Sequence, residues 1–315
     1  MKLPLTIPPM LAVPAPPFDS PAHLFEIKWD GERCLAFLTT GTRLQSRNLR
    51  DITFQYPELA TIHRQLRKNG VVLDGEIIAL ENGKPSFFRL QSRMHATSEQ
   101  RIKEERLTNP VVYVVFDLLY VEGKPLLHLP LSRRRELLDA LLIPTEHLII
   151  STCHPEQGRA LFQQVAALGL EGVIGKEKNS PYLPGKRSPA WKKARVTKSA
   201  NFVIGGYTTN PHGRGDLSAL VLGAYEDEAL LSYGLVGTGL SQAEITHLLA
   251  LFAPLTRAQS PLVDPPRLAA VTWLEPKLVC EVEYLQVTAD RRLRHPLYKG
   301  LRPVAPRECQ AADIK

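Results

Sequence analysis

Six consecutive residues, Lys28-Trp29-Asp30-Gly31-Glu32-Arg33, gather a lysine amine, a carboxylate, a flexible turn and a guanidinium in one short stretch. That combination suits a lysine that attacks a phosphate. An ordinary lysine has a pKa of about 10.4, so roughly one in a few thousand is neutral at pH 7; a nucleophilic one needs neighbouring cations or a metal to lower that value. Five further segments supply such neighbours in a fixed order: Ser46-Arg47-Asn48, Leu73-Asp74-Gly75-Glu76, Val115-Phe116-Asp117-Leu118, Glu171-Gly172-Val173-Ile174-Gly175-Lys176 and Trp191-Lys192-Lys193-Ala194-Arg195. Taken singly, each has a bland reading. A lysine-aspartate turn is common on surfaces, Glu76 and Glu171 suit solvated carboxylates, Phe116 suits a core, and Arg33 and Arg47 suit structural salt bridges.

These groups need elements to position them. Before Lys28 the chain alternates, with Phe25, Ile27 and Trp29 on one side and Glu26, Lys28 and Asp30 on the other. A strand running into a turn at Asp30-Gly31 is expected, with Lys28 projecting into a cleft. Segments 71–80 and 111–121 read as strands from their β-branched and aromatic content. On them Asp74 and Glu76 share a face, and Phe116 faces away from Asp117. Lys193 and Arg195, two apart on a strand, would enter one cavity and neutralise charge growing on a phosphate. Glu171, followed by a glycine that permits close backbone approach, suits a divalent metal near that phosphate.

Helices are expected at 57–68, 132–142 and 155–168, the last opening with Pro155 and ending at Gly169. From Asn201 the pattern changes to short strands at 202–207, 217–225, 229–236 and 278–287, separated by glycine-rich turns. One helix interrupts them at 241–252, where Ser241 and Glu244 make a capping-box pattern. An α+β domain at 1–198 followed by an all-β domain at 199–315, of a size that suits a small oligonucleotide-binding (OB) barrel, is therefore expected.

At 315 residues the chain exceeds one average domain. Its net charge of +7 and pI near 9.2 favour a polyanionic partner. The charge is clustered: Lys176, Lys178, Lys186, Arg187, Lys192, Lys193, Arg195 and Lys198 face one acid, Glu177, and Arg291, Arg292, Arg294, Lys299 and Arg302 form a second group. The bland alternative for either cluster is a solvated charged face. No apolar run approaches the ~20 residues that span a bilayer, and the proline-rich start lacks a signal-peptide core, so no membrane association and a cytoplasmic location are expected. Cys34, Cys153, Cys280 and Cys309 form no C-x-x-C pair, which argues against a disulfide framework and a zinc site.

In order and spacing, these segments resemble the covalent nucleotidyltransferase superfamily, specifically the ATP-dependent DNA ligases, over about residues 8 to 302. Phe202-Val203-Ile204-Gly205-Gly206-Tyr207, Val236-Gly237-Thr238-Gly239 and Leu293-Arg294-His295-Pro296-Leu297-Tyr298-Lys299-Gly300-Leu301-Arg302 narrow the likeness to the ligase domain of bacterial end-joining ligase D and its stand-alone relatives. The resemblance implies an adenylation (nucleotidyltransferase) domain with antiparallel sheets and flanking helices, followed by an OB-fold domain. It implies ATP as AMP donor, Lys28 as the nucleophile, and Lys193 and Arg195 as catalytic and nucleotide-binding cations. Glu76 is implied at the ribose and, with Glu171, at Mg2+ or Mn2+. Phe116 would stack on adenine, a flat apolar ring against a flat base, and Glu26 would make a further adenine contact. Arg33 and Arg47 would serve the nucleotide and the DNA break, and Arg294, Lys299 and Arg302 the DNA.

Two positions depart from the family pattern. Arg195 stands where the family has lysine, exchanging a compact ammonium for a planar fork. Pro303-Val304-Ala305 follows Arg302 where relatives carry an acidic residue and then Asp-Lys, which implies slow or differently assisted self-adenylation. The reaction implied is sealing of nicked or broken duplex DNA by a monomer, with Ku and a separate primase-polymerase as partners in end joining. The alternatives are an RNA ligase, an RNA-capping nucleotidyltransferase, a non-catalytic DNA-binding protein on a ligase scaffold, and a general nucleic-acid chaperone.

Overall fold

Residues 3–209, 217–268 and 270–314 are described by the computed structural model. The chain divides into two units, Met1–Val196 and Thr197–Lys315, in an α+β architecture. The glycine-containing turn expected at 210–216 lies outside the described residues.

The first unit is built on two sheets. One has seven strands, in the order Thr42–Ser46, Glu32–Leu38, Val71–Glu81, Val111–Val121, Lys124–Pro125, with Lys84–Pro85 on the third of these and Leu148–Ile150 on the fourth. Both its faces are covered. Cys34, Ala36, Val71, Leu73 and Val115 pack into one apolar cluster with the helix residues Leu90, Leu138 and Leu141. Leu35, Phe37, Val72 and Phe116 pack into another with Met10, Tyr182 and Trp191. Two buried faces explain why 71–80 and 111–121 read as continuous apolar runs instead of alternating.

The second sheet has five strands, in the order Leu11–Pro14, Arg187–Arg195, Gly172–Glu177, Ser20–Ile27, His154–Glu156. The sheets are not wholly antiparallel: Leu11–Pro14 runs parallel to Arg187–Arg195, and Leu148–Ile150 parallel to Val111–Val121.

Several elements differ from the sequence reading. The helix expected at 57–68 is a pair of 3-10 turns, Pro57–Leu59 and Ile62–Gln65, because Glu58 is drawn into the core by Arg93. Two helices not anticipated, Phe87–Met94 and Glu99–Thr108, are capped by Ser86 and Ser98, whose hydroxyls accept from Arg89 N and Arg101 N. The helix expected from Pro155 begins at Gly158, since His154–Glu156 pairs with Ser20–Ile27; Asp19 caps it from another strand, accepting from Arg159 N at 2.9 Å.

In the second unit every strand pair of a seven-stranded sheet is antiparallel. Lys198–Thr209 lies at its centre, bonded to Leu217–Glu226, Thr272–Leu274 and Val279–Tyr284. Tyr298 N donates to Thr238 O at 2.9 Å, joining Leu297–Arg302 to the segment that follows Ala229–Val236 and drawing the sheet's two ends together. Gly239 permits this approach, since a Cβ there would meet Tyr298 O at 2.5 Å. Helix Gln242–Phe252 is capped by Ser241, but only half the expected box forms: the Glu244 carboxylate accepts from Tyr298 Oη at 2.6 Å. Among the described residues no helix is long and apolar enough to cross a membrane.

Buried arginine–carboxylate pairs tie the first unit together. Arg134 on helix Leu131–Leu141 grips Asp117 with Nε at 2.7 Å and Nη2 at 2.9 Å, both side chains fully buried, while its Nη1 donates to Leu129 O and Ser180 O. Arg93 holds Glu58 in the same two-pronged way. Removing one member strands the other charge in the core. Asp117→Ala should therefore cost about 3–5 kcal/mol, read by urea denaturation, whereas the double replacement Asp117→Leu/Arg134→Met should recover much of that loss.

Candidate active site

The two sheets of the first unit face one another across a cleft, and Lys28 stands where the chain crosses between them. Its N–H still donates to Gly172 O at 2.8 Å, continuing the pairing of Ser20–Ile27 with Gly172–Glu177. Four residues later the chain enters Glu32–Leu38 of the other sheet. Gly31 makes this crossing tight: a Cβ there would overlap Ile77 O and crowd the Glu76 side chain. The nucleophile candidate and Glu76 are thus held together by backbone contact.

Glu26, Lys28, Arg33, Arg47, Glu76, Phe116, Lys193 and Arg195 all line this one cleft. Glu171 sits beside it, with one carboxylate oxygen in contact with Lys28 Nζ and the other accepting from Arg195 Nε at 3.2 Å. Gly172 is required next to Glu171 because it pairs with Arg195 at φ +152° and a side chain there would collide with Ala194 O. Lys193 has no carboxylate partner among the described residues. Burial pushes its ammonium down to about 8, and Arg195, Lys28, Arg187 and Arg47 push the same way. Burial pushes the Glu76 carboxyl up to about 7; Glu171 and Asp74 add to that, while Arg33 and Lys28 oppose it.

Arg33 is committed to structure as well as to the cleft. Its Nε and Nη2 donate to Asp74 at 2.6 and 2.7 Å, and its guanidinium lies 4.6 Å from the Phe116 ring centre. Tyr182 Oη donates to the same carboxylate at 2.7 Å. Arg47 is exposed in the loop after Thr42–Ser46. Arg294, Lys299 and Arg302 belong to the second unit, where Lys299 pairs with Glu283 at 3.1 Å and Arg302 with Glu281.

Sequence reasoning gave no individual site role to several residues of the cleft lining, among them Lys176, Arg187, Leu11 and Ala12. Lys176 is buried, paired with Glu26, with its amine 4.0 Å from the centre of the Phe116 ring and 4.4 Å from that of Trp191. It follows Ile174 by two, and that spacing on a strand carried the signal. Arg187 and the adjacent backbone of Leu11 and Ala12 also line the cleft, and Arg187 Nη1 donates to Ala12 O at 2.6 Å. Among the described residues no group of three or more His, Cys, Asp or Glu gathers as a metal site.

Comparison with known proteins agrees with this geometry. The family model of the ATP dependent DNA ligase domain matches residues 9–195, and that of the ATP dependent DNA ligase C terminal region matches residues 213–305. The chain belongs to the ATP-dependent DNA ligases. The multifunctional non-homologous end joining protein LigD of Mycolicibacterium smegmatis is 37% identical over 285 residues, 89% of this chain but 36% of the relative. A DNA ligase of Methanoculleus marisnigri is 31% identical over 83% of this chain and 47% of its own length. The chain thus spans only about a third to a half of these ligases. The crystal structure of the ligase domain from M. tuberculosis LigD is 32% identical with a TM-score of 0.54, covering 96% of this chain and 97% of that one. A mycobacterial DNA ligase D complexed with ATP and MES has a TM-score of 0.55 at 33% identity, with the same coverage.

The position of Glu76 has a measurable consequence for this ligase fold. Its carboxyl rises from 4.5 to about 7 on folding. Between those values the folded chain binds the extra proton, so stability falls as pH rises from about 4.5 to about 7. Glu76→Gln should flatten that slope and gain about 1–2 kcal/mol on the wild type across the window, seen in urea unfolding at pH 4.5 and 7.5.

Proposed function

We propose that this chain seals 5′-phosphate/3′-hydroxyl breaks in duplex DNA with ATP, carrying the adenylyl group on Lys28. The observation behind this reading is a lysine amine set on the crossing between two sheets, facing Phe116 and Lys193 in one cleft of a chain that belongs to the DNA ligases.

Lys28 Nζ forms a bond to the α-phosphorus of ATP as the bond to the bridging oxygen breaks and pyrophosphate leaves. The ammonium must first lose a proton, and the Glu171 carboxylate in contact with it is placed to take one. Lys193 and Arg195 sit where negative charge grows on the phosphorus oxygens. The adenylyl group then passes from Lys28 to a DNA 5′-phosphate, and a 3′-hydroxyl displaces AMP to join the strand. Glu171 and Glu76 fit Mg2+ or Mn2+: the Glu171 carboxylate adds to the cost of charging Glu76, which a divalent cation would relieve, and phosphates and water would complete its oxygen shell. When bound, the ion supplies Lewis-acid stabilisation of phosphoryl oxygens.

The base is selected beside Phe116. Glu26 is buried, and its Oε2 has no donor among the described residues. Adenine presents an amine at position 6, a donor that satisfies this oxygen, whereas guanine presents a carbonyl, an acceptor that would face it. Arg47 and Arg187 serve the outer phosphates and the DNA 5′-phosphate, with Arg33 reaching the cleft from its Asp74 anchor. Arg294, Lys299 and Arg302 contact the DNA backbone, which makes binding independent of sequence and strongly weakened by salt. The likeness to a multifunctional non-homologous end joining protein supports work in end joining, and the same reading makes the chain a monomer in the bacterial cytoplasm, at the nucleoid, with Ku and a separate primase-polymerase as partners.

Incubation with α-labelled ATP and Mg2+ or Mn2+ should place one adenylyl group on Lys28, located by mass spectrometry. Lys28→Ala should give no adduct and no sealing of a singly nicked duplex; labelling of another side chain would overturn the proposal. Glu26→Gln should narrow the preference for ATP over GTP by about tenfold, corresponding to one buried hydrogen bond of order 1 kcal/mol, read as initial rates of covalent labelling.

A further inference from the structure

The crossing that carries Lys28 has a second anchor. Trp29 follows Lys28 directly, and its indole Nε1 donates to Ser151 Oγ at 3.2 Å. Ser151 is itself immobilised: it is 1% exposed, its N–H donates to Val115 O at 2.8 Å, and its carbonyl accepts from Arg135 Nη2 at 2.5 Å. One hydroxyl therefore links the residue after Lys28 to the strand position just before Phe116, with helix Leu131–Leu141 bracing it from behind.

From these contacts we infer that Ser151 is a positioning residue for adenylyl transfer, fixing the orientation of the Lys28 amine through Trp29. The inference rests on Lys28 being the nucleophile. On the side away from Gly31 the indole bond is the polar restraint on Trp29. The donor is partly buried and cannot be left without a partner at no cost. Without the hydroxyl, the ring shifts to find another acceptor, and the backbone of Lys28 turns with it. A displacement of an ångström at a nucleophile is enough to cost up to a hundredfold in rate. Ser151 is not among the residues lining the cleft that Trp29 shares with Lys28 and the groups assigned to base, ribose and phosphate, so loss of its hydroxyl should spare nucleotide binding while the bond-forming step slows.

The test is single-turnover formation of lysyl-AMP as a function of ATP concentration in wild type, Ser151→Ala, Trp29→Phe, the double variant and Ser151→Thr, with thermal melting confirming that each is folded. Ser151→Ala and Trp29→Phe should each lower the maximal rate about tenfold, with half-saturation changed less than twofold in Ser151→Ala. The double variant should be no slower than either single one, because the same bond is lost, and Ser151→Thr, which keeps the hydroxyl, should restore most of the rate. Multiplicative losses near a hundredfold, a change confined to half-saturation, or failure of threonine to rescue in a folded protein would overturn the role of Ser151 while leaving Lys28 in place. Wild-type labelling on a residue other than Lys28 would instead bring down the reading on which it rests.

Discussion

A single carboxylate sets the distance between the two sheets of the catalytic unit. Asp74 is fully buried and accepts from Arg33 on the neighbouring strand and from Tyr182 in the segment that leads into the other sheet; the Tyr182 hydroxyl in turn accepts from Met10 N at 2.9 Å. Four stretches of chain, far apart in sequence, meet at one group. Such a network is costly unless every member is satisfied, and here the two Asp74 oxygens are shared among three donors. The cleft is the gap left beside this knot, and Phe116 and Trp191 pack at its floor as edge-to-face rings 6.3 Å apart.

The charge in that gap is arranged in two ways. Glu26 neutralises Lys176, and Glu171 is shared between Lys28 and Arg195, which leaves one positive charge in excess. Lys193 has no such counterion among the described residues, and its lowered pKa records first its burial and then the cations around it. In the proposed reaction a triphosphate meets Lys193 beside Lys28 and Arg195, the two cations that share Glu171.

Much of this was legible from residue order. The 111–121 strand and the 229–236 strand match the observed elements end to end, because β-branched and aromatic runs have one good home. Period-two reasoning placed Glu76, Phe116, Lys193 and Arg195 on the surfaces where they are found. What escaped depended on partners distant in sequence. Pro57 and the segment after it looked helical until Arg93 claimed Glu58, and the helix expected at Pro155 is displaced by pairing with Ser20–Ile27. Lys176 was read only as one of a basic cluster, since a lysine is seldom buried; the fold shows the glutamate and two aromatic rings that make its burial tolerable.

Arg33–Asp74, Arg93–Glu58 and Arg134–Asp117 have a bearing on how this sequence can drift. Each pair joins residues 41, 35 and 17 positions apart, so the two codons are never altered by one mutational event. The intermediate with a lone ion in the interior is the least fit point on any route between an ionic and an apolar core. Descent should therefore preserve both partners or replace both, and the ancestry of the catalytic unit should be written in correlated changes at these positions more clearly than at the solvent-facing lysines around them.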